Sequence, residues 1–584
     1  MNLLNDATPL FDNRQKLTAL IDAMDSQYNP ENRMLTSPFS SPGYHTTIKQ
    51  APFIHSTRSS LAYALGLLDT EQEYNAQRAF DIIGQVVSLQ DTDRSRSTFG
   101  IWSWFYEEPL DQMSPPDWNW ADFCGKLLVL IISRHAERLP AELRKAVEQA
   151  ICNACDAIII RNIGPHYTNI AIMGAFVTLI AGELLERQNY AAYGLDRLAK
   201  LHAYTMPRQA FQEYNSPNYT YIAILELSAI VTETSNPQAK QLGNELLDIA
   251  WKSVADHYHA STQQWSGPHS RCYQTLLTPL NKAFLQMATG GRLAFYPESE
   301  LLYNEGWYKC GAVCPEQYVE QFLHPAERTV RECFGVSGSG DEKWSTTYMT
   351  PAYSLGSFKK EIMWNQTRTL LAYVDNGGQA TYLHLRALHD GYDYCSAIFH
   401  GEQRAGHVLF GVNFVVNGGD THPNLDMIDG TIEASDFRLR LEVGGALEQI
   451  GKSVHKDQVK LQIGETALSL VTWFAAFSGQ GEKPEPKEWR WEINEIDSGN
   501  DTSGNNKDSG SSILAIDLVI HSGEKRTIDF AKLEQAAFVF SLSIGDEAAS
   551  FAPQVVQTAE QIEVSGDWHH EALALSLPLR PGKQ

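Results

Sequence analysis

Gly164-Pro165-His166-Tyr167-Thr168-Asn169 stands directly ahead of the apolar run Ile170 to Leu185. Gly and Pro stop the preceding element, and Thr and Asn cap the next one, so the stretch predicts a connection that ends one helix and starts another. Two more stretches have this character. Glu213-Tyr214-Asn215-Ser216-Pro217-Asn218-Tyr219 opens the run Tyr219 to Thr232, and Ser266-Gly267-Pro268-His269-Ser270-Arg271-Cys272-Tyr273 comes about fifty residues later. Capping accounts for the Asn, Ser and Thr residues; the surplus of Tyr, His and Arg exceeds what caps need. Connections between stacked helices lie on one rim of the array, so the three clusters read together as a candidate site.

Around these clusters the period is helical. Apolar residues recur at three- and four-residue intervals over Ser60 to Leu68, Tyr74 to Leu89, Trp120 to Ala136, Glu142 to Arg161, Tyr190 to His202 and Pro237 to His257. Short polar connections alternate with these runs. The pattern predicts helical hairpins side by side, either an open solenoid or a closed (α/α) toroid, because each hairpin buries its apolar face only against neighbours.

Beyond Ser337-Gly338-Ser339-Gly340 the period shortens. Thr367 to Tyr373, Gln379 to Arg386, His407 to Val416, Thr431 to Val443, Val459 to Gly464, Ser469 to Phe477, Ser512 to Ile520 and Ala537 to Ile544 are rich in β-branched and aromatic residues and bounded by Gly and Asp. They predict an antiparallel β-sandwich. The reading is therefore a multidomain α and β chain, with a helical catalytic domain over 1–335 and a β-sandwich over 336–584. The Ser, Gly, Asn and Asp tract from Asp497 to Ser512 reads as a hairpin loop within the sheet domain.

Composition narrows the function. With 584 residues, 43% hydrophobic and 20% charged, the chain has the make-up of a multidomain globular protein, and its net charge of -24, without basic runs, argues against nucleic-acid binding. No secretory signal and no run of eighteen uncharged apolar residues is seen, which predicts a soluble, cytoplasmic protein unless a signal was removed. Eight cysteines are too sparse for a disulfide framework. Cys152 and Cys155 fall on an amphipathic run as core residues, and Cys310, Cys314 and His324 lack a fourth ligand. His257 and His259 have H-x-H spacing but close a helical run, where side chains two apart diverge. No metal or cofactor is expected for catalysis, while a structural divalent ion in the sandwich remains compatible with the sequence.

Helices first and a large sandwich second, with Asn169, then Asn218 and Tyr219, then His269, Arg271 and Tyr273 on successive connections, resembles the polysaccharide lyases built on an (α/α) toroid, the hyaluronate, chondroitin, alginate and heparinase-type enzymes. Sugar phosphorylases and related hydrolases on a toroid carry their sandwich first. The resemblance departs at the first cluster, where Tyr167-Thr168-Asn169 stands in place of an adjacent Asn-His pair. It implies cleavage at a uronic acid by β-elimination, with a uronate-containing oligosaccharide or polysaccharide as partner. The reaction removes a weakly acidic proton beside a carboxylate and expels the O4 oxygen, so the site must hold growing negative charge. Asn169 and Asn218 are suited to donate to the carboxylate, and Arg271 to bind it with its planar fork. Tyr219 is expected as base or acid, His269 as its partner in proton transfer and Tyr273 as the reserve, since cations depress a phenol pKa and Tyr219 opens a helix. Trp102, Trp104 and Trp120 are candidates to stack on sugar rings, with His166, Tyr167 and Tyr221 as polar contacts. The Tyr348 to Tyr353 segment and Trp364-Asn365-Gln366 are candidates to close the cleft.

Two other classes compete. A glycoside hydrolase would need two carboxylates facing across the sugar, with Asp122, Glu183, Glu213 and Glu226 as candidates. A carbohydrate-binding protein would use the aromatic groove alone.

Overall fold

The computed structural model describes residues 10–41, 44–479, 488–497, 512–545 and 551–583. The chain forms two compact units, one of residues 1–213, 219–252 and 279–319, the other of 214–218, 253–278 and 320–584. The boundary expected after residue 335 falls inside the strand Arg328–Val336, and Ser337 to Gly340 form the turn into its partner Glu342–Met349. Arg328–Val336 is half-exposed along most of its length and interleaves charged residues, so it carries no clear apolar run.

The first unit is helical. Its hairpins pair α1 (Arg14–Met24), α2 (Thr57–Asp69) and α3 (Glu73–Ser88), then α4 (Trp120–His135) and α5 (Ala141–Arg161), α6 (Thr168–Leu184) and α7 (Gln188–Thr205), α8 (Tyr219–Glu233) and α9 (Pro237–His257), followed by α10 (Pro279–Ala288) and α11 (Glu316–Leu323). α2, α4, α6 and α8 pack in series, with α3 and α5 packing outside them. The apolar periodicity explains the layers. α3 buries Asn75, Ala79, Ile82, Ile83 and Val86 on one stripe, whereas α6 is apolar on all sides and is enclosed from Thr168 to Gly182.

The array closes into a toroid. Phe11, at the start of the chain, packs on Phe284 of α10 and on Trp307 with ring centres 5.4 and 5.7 Å apart, and Tyr303 donates to the Phe11 carbonyl. Charged groups cross the inner ring of helices: Lys126 pairs with Glu226, and Arg134 reaches Asp69 at 3.0 Å and Glu233 at 3.4 Å. An antiparallel pair of strands, Met34–Ser40 with Gln50–His55, decorates this unit and was not legible in the sequence.

The second unit is an antiparallel β-sandwich. One sheet runs in spatial order Trp491–Asp497, Ser512–Asp529, Thr431–Gly445, Gln379–His389, Leu370–Asn376, Tyr353–Phe358, Glu342–Met349 and Arg328–Val336, with Tyr392–Asp393 paired to Gln379–His389. The other runs Gly451–His455, Gln458–Ile463, Thr466–Gly479, Leu533–Ile544, His407–Phe414, Ala397–Arg404 and Lys360–Ile362. Leu355, Ala372, Leu383 and Leu439 from the first sheet meet Phe399, Phe410, Phe540 and Leu542 from the second in one dry core. A third sheet, Gln554–Gln557, Gln561–Trp568 and Glu571–Pro578, buries Ile562, Val564 and Leu573 against Leu409, Ala537 and Val539. Residues 498–511, most of the expected hairpin loop, lie outside the described residues; their flanks Asp497 and Ser512 pair directly. Among the described residues no helix is long and apolar enough to cross a membrane.

Candidate active site

The second and third polar clusters interlock inside the β-sandwich unit. Asn215, with φ +45°, is the pivot: its amide donates to the carbonyls of Ser266 at 2.8 Å and Pro268 at 3.0 Å, and its Oδ1 accepts from the Trp265 indole. The left-handed conformation suits Asn better than a bulkier residue. Ser270 returns two hydrogen bonds to the Tyr214 carbonyl, Ser216 Oγ donates to the Arg271 carbonyl, and Asn218 Oδ1 accepts from the Tyr273 N–H at 2.9 Å. Asn218 thus fixes the backbone that carries Tyr273. This bond uses Oδ1, whereas the carboxylate contact expected of Asn218 would use its amide Nδ2.

Arg271 and Tyr273 leave this frame on one side. The Arg271 guanidinium lies 5.3 Å above the Trp364 ring, donates from Nε to Gln366 Oε1 at 2.7 Å and approaches the Tyr273 hydroxyl to 3.5 Å through Nη2. Trp364 is itself anchored by its N–H to the Thr421 carbonyl and meets His422 edge-on. The Tyr273 hydroxyl thus sits beside a guanidinium that is held on both sides. Of the segments expected to close a cleft, Trp364 and Gln366 therefore act on the site through Arg271.

His269 is placed differently from expectation. It is fully buried, its backbone pairs with that of Arg368, and its Nδ1 donates to the Asn215 carbonyl. Loss of hydration pushes its pKa down to about 3. Its Nε2 is buried and has no partner among the described residues. At neutral pH this imidazole carries no second proton, so Nε2 can accept a hydrogen bond but the ring is poorly suited to take up or deliver a proton. Burial, which no local signal in Pro268-His269-Ser270 announces, decides this.

A second buried histidine takes a role that its sequence neighbours do not signal. The Tyr214 hydroxyl lies 2.9 Å from His257 Nε2 and 2.7 Å from Glu332 Oε2, while His257 Nδ1 meets the Ser253 carbonyl at 2.8 Å. His259 turns away, to Thr262 Oγ1 and the Thr350 carbonyl, so the H-x-H pair does not converge. Among the described residues no cluster of three or more His, Cys, Asp or Glu side chains is placed to hold a metal. Cys152 and Cys155 are free on α5, and burial raises the thiols of Cys310 and Cys314 to about 11 and 12.

The first cluster belongs to the helical unit. Asn169, buried in the first turn of α6, gives its amide and its backbone N–H to the Glu213 carboxylate at 2.6–2.9 Å. Its donors are committed to the protein's own carboxylate rather than to a substrate's. Tyr219, half-buried, is the first residue of α8, as the sequence predicted, and Tyr221, two residues further along that helix, accepts from the Trp307 indole. Tyr167 precedes α6 and accepts from Asn119 Nδ2, and His166 is exposed.

The aromatic candidates separate. Trp102 is wholly buried, with its N–H on the Val86 carbonyl, and is a core residue. Trp104 and Trp120 are half-buried and stack on each other at 5.1 Å and 28°. Their N–H groups are taken by Asp117 and Thr57.

Comparison with known proteins bears on this architecture. A family model described as Domain of unknown function (DUF8769) matches residues 15–284. Comparison with curated proteins finds no match. Among solved structures, a chondroitin AC lyase of Streptomyces coelicolor A3, in complex with chondroitin sulphate, matches over 97% of this chain and 84% of its own, with a TM-score of 0.50 at 11% identity. The chain has the polysaccharide-lyase fold. Heparinase III matches over 99% of this chain and 92% of its own at 12% identity with a TM-score of 0.45, and the heparan sulfate lyase HepC of Pedobacter heparinus over 90% and 82% at 9% and 0.33.

Of the four carboxylates expected for a hydrolase, Glu183 and Glu213 are bonded within the protein, whereas Asp122 Oδ1 and Glu226 Oε2 are buried without a hydrogen-bond partner among the described residues. Asp122 is fully buried and pushed up to about 7 by loss of hydration, Glu183 binds Thr234 and Ser235, Glu226 pairs with Lys126, and Glu213 holds Asn169.

Proposed function

We propose that the chain is a polysaccharide lyase that cleaves beside a uronic acid by β-elimination. The observation that carries this reading is Arg271, fixed by Trp364 and Gln366 with Nη2 at the Tyr273 hydroxyl; the lyase fold supports it. In this reading the planar guanidinium of Arg271 takes the uronate carboxylate and holds the charge that builds there as the neighbouring C–H bond breaks. A phenolate accepts that proton, the electron pair forms the new carbon-carbon double bond, and the C–O4 bond breaks. The leaving oxygen takes up a proton from a phenol.

Tyr273, beside Arg271, is the phenol assigned to these proton transfers, as base and then, once protonated, as acid. Asn218 positions Tyr273 by its backbone, and neutral His269 is a supporting acceptor within the frame. Substrates are uronate-containing oligosaccharides or polysaccharides, and the chemistry asks for no cofactor.

A panel of uronate polysaccharides and their oligosaccharides, followed by ultraviolet absorption of the conjugated product, tests the reading. Arg271→Gln should lower kcat/KM by about a hundredfold or more, and Tyr273→Phe should lower kcat with substrate still bound. New reducing ends without ultraviolet absorption would replace the lyase by a hydrolase.

A further inference from the structure

One turn of the β-sandwich unit, Gly418 to Met427, takes no part in the proposed chemistry, yet it holds the ring on which Arg271 rests. It follows the strand His407–Phe414 and is closed by backbone bonds, from the Asp420 N–H to the Asp426 carbonyl at 3.0 Å and from the Ile428 N–H to the Gly418 carbonyl at 3.1 Å. It is also fastened to the sandwich below. The buried Cys395 gives its N–H to the Asp420 carbonyl at 2.7 Å, the buried Ser396 donates from Oγ to the Gly419 carbonyl at 2.8 Å, and His389 Nδ1 meets Asp420 Oδ1 at 2.8 Å.

Inside the turn three donors converge on one carboxylate. Asp426 Oδ2 accepts from the Thr421 N–H at 2.8 Å and from Thr421 Oγ1 at 2.6 Å, and Asp426 Oδ1 accepts from the His422 N–H at 2.9 Å. Hydrogen bonds to an ionised acceptor are about twice as strong as neutral ones, so Asp426 fixes the peptide between Thr421 and His422. In a trans peptide the N–H and the C=O point to opposite sides. The bond that turns the His422 N–H toward Asp426 therefore turns the Thr421 carbonyl away from it, and Trp364 Nε1 donates to that carbonyl at 3.2 Å. His422 meets the same indole edge-on at 5.3 Å, with its Nδ1 accepting from the Asn424 N–H at 3.1 Å. Gly419 shows how closely the turn is packed: a Cβ there would run into the His422 carbonyl and lie 2.8 Å from Asp426 Oδ1, so a side chain would displace the peptide that Asp426 holds.

We infer that Asp426 is a positioning residue for Arg271. Its carboxylate sets the Thr421–His422 peptide, that peptide sets the Trp364 ring, and the ring carries the Arg271 guanidinium at 5.3 Å with Nη2 3.5 Å from the Tyr273 hydroxyl. A reacting group displaced by about 1 Å loses on the order of a hundredfold in rate, so a carboxylate acting through an indole reaches the chemistry without touching it. Arg271 has a catalytic task only if the lyase reading holds. The kinetic arm of the test rests on that reading and the spectroscopic arm does not.

The full chain labelled with 5-fluorotryptophan gives a fluorine NMR resonance for Trp364, identified by its loss in Trp364→Phe. Asp426→Asn puts an amide N–H where the donors of the turn point. In that variant, and in Gly419→Ala, the Trp364 resonance should move or broaden while the other indoles keep their shifts, which also reports an intact fold. Arg271→Gln should move it as well, since the guanidinium then leaves the ring face. In the ultraviolet assay Asp426→Asn should lower kcat by about tenfold and cost nothing further in an Arg271→Gln chain. Asp426→Glu, which keeps the acceptor oxygens, should recover part of the loss. A Trp364 resonance unmoved in both Asp426→Asn and Gly419→Ala overturns the positioning role even where wild type is an active lyase, and so does a kcat loss from Asp426→Asn that is as large in the Arg271→Gln chain as in wild type. A wild type that never forms the conjugated product removes the lyase, and the Trp364 resonance alone then decides whether Asp426 places that ring.

Discussion

Hydrogen-bond counting at Tyr214 shows what a single buried residue asks of its surroundings. His257 donates from Nδ1 to the Ser253 carbonyl, so its Nε2 is a lone pair unless it takes a second proton. The one proton of Tyr214 faces both that Nε2 and the Glu332 carboxylate. Burial lowers the pKa of His257, with Glu332, Asp256 and Arg328 as the charges that act on it. Tyr214→Phe should therefore destabilise the chain by about 1–3 kcal/mol, the cost of a buried polar group left unmet. Glu332→Gln brings its own N–H to the phenol oxygen and should keep neutral-pH stability. Urea unfolding at pH 5.5 and 8 measures both, and a Tyr214→Phe chain as stable as wild type would sink the account. None of this was readable from Glu213-Tyr214-Asn215, because the partners lie 43 and 118 residues away. Arg271 and Tyr273 were legible since they are two apart in one polar cluster and the structure keeps them together.

At the scale of elements, the pair α6 and α7 shows how small residues set a distance. A Cβ on Gly194 would lie 2.5 Å from the Leu179 backbone N, and one on Gly182 would lie 2.2 Å from that of Ala191. The helices touch backbone to backbone at two levels. In an exposed helix Gly→Ala gains about 1 kcal/mol, but here the clash is with main chain and cannot relax by a rotamer change. Gly194→Ala should thus cost about 2–3 kcal/mol net, read as a lower urea midpoint with an unchanged slope; a higher midpoint would mean that the crossing is looser than drawn. Element type was legible wherever apolar spacing was long and regular, as in α3, α6 and α9. It was obscure where tertiary pairing overrides a weak local pattern. Met34–Ser40 and Gln50–His55 contain Pro and exposed polar residues, and Arg328–Val336 alternates charge with Cys and Gly, so their strand character comes from partners rather than from their own sequence.

Across the whole molecule, six histidines of the β-sandwich unit and the buried Asp122 of the helical unit respond to acid with opposite sign. In the β-sandwich unit burial pushes His269 and His407 down to about 3 and His400 to about 4, and His257, His259 and His384 are lowered as well. An unfolded histidine binds its proton near pH 6.5. Below that value the unfolded state therefore holds more protons than the folded one, and stability falls as pH drops, by on the order of 1 kcal/mol per pH unit for each such histidine until its folded pKa is reached. Asp122 in the helical unit runs the other way: its folded pKa of about 7 lies above the unfolded carboxylate value, so acidification from pH 7 removes a cost instead of adding one. Calorimetry between pH 7.5 and 5 should show two transitions drawing apart, the lower one belonging to the β-sandwich unit by hydrogen exchange of the strands around His400 and His407. Transitions that shift in parallel, or a helical unit that melts first in acid, would show that the buried histidines do not govern the acid limb. The depressed histidines lie in the unit that contributes Arg271 and Tyr273, so the same measurement sets the lower pH bound within which any activity of the candidate site can be assayed.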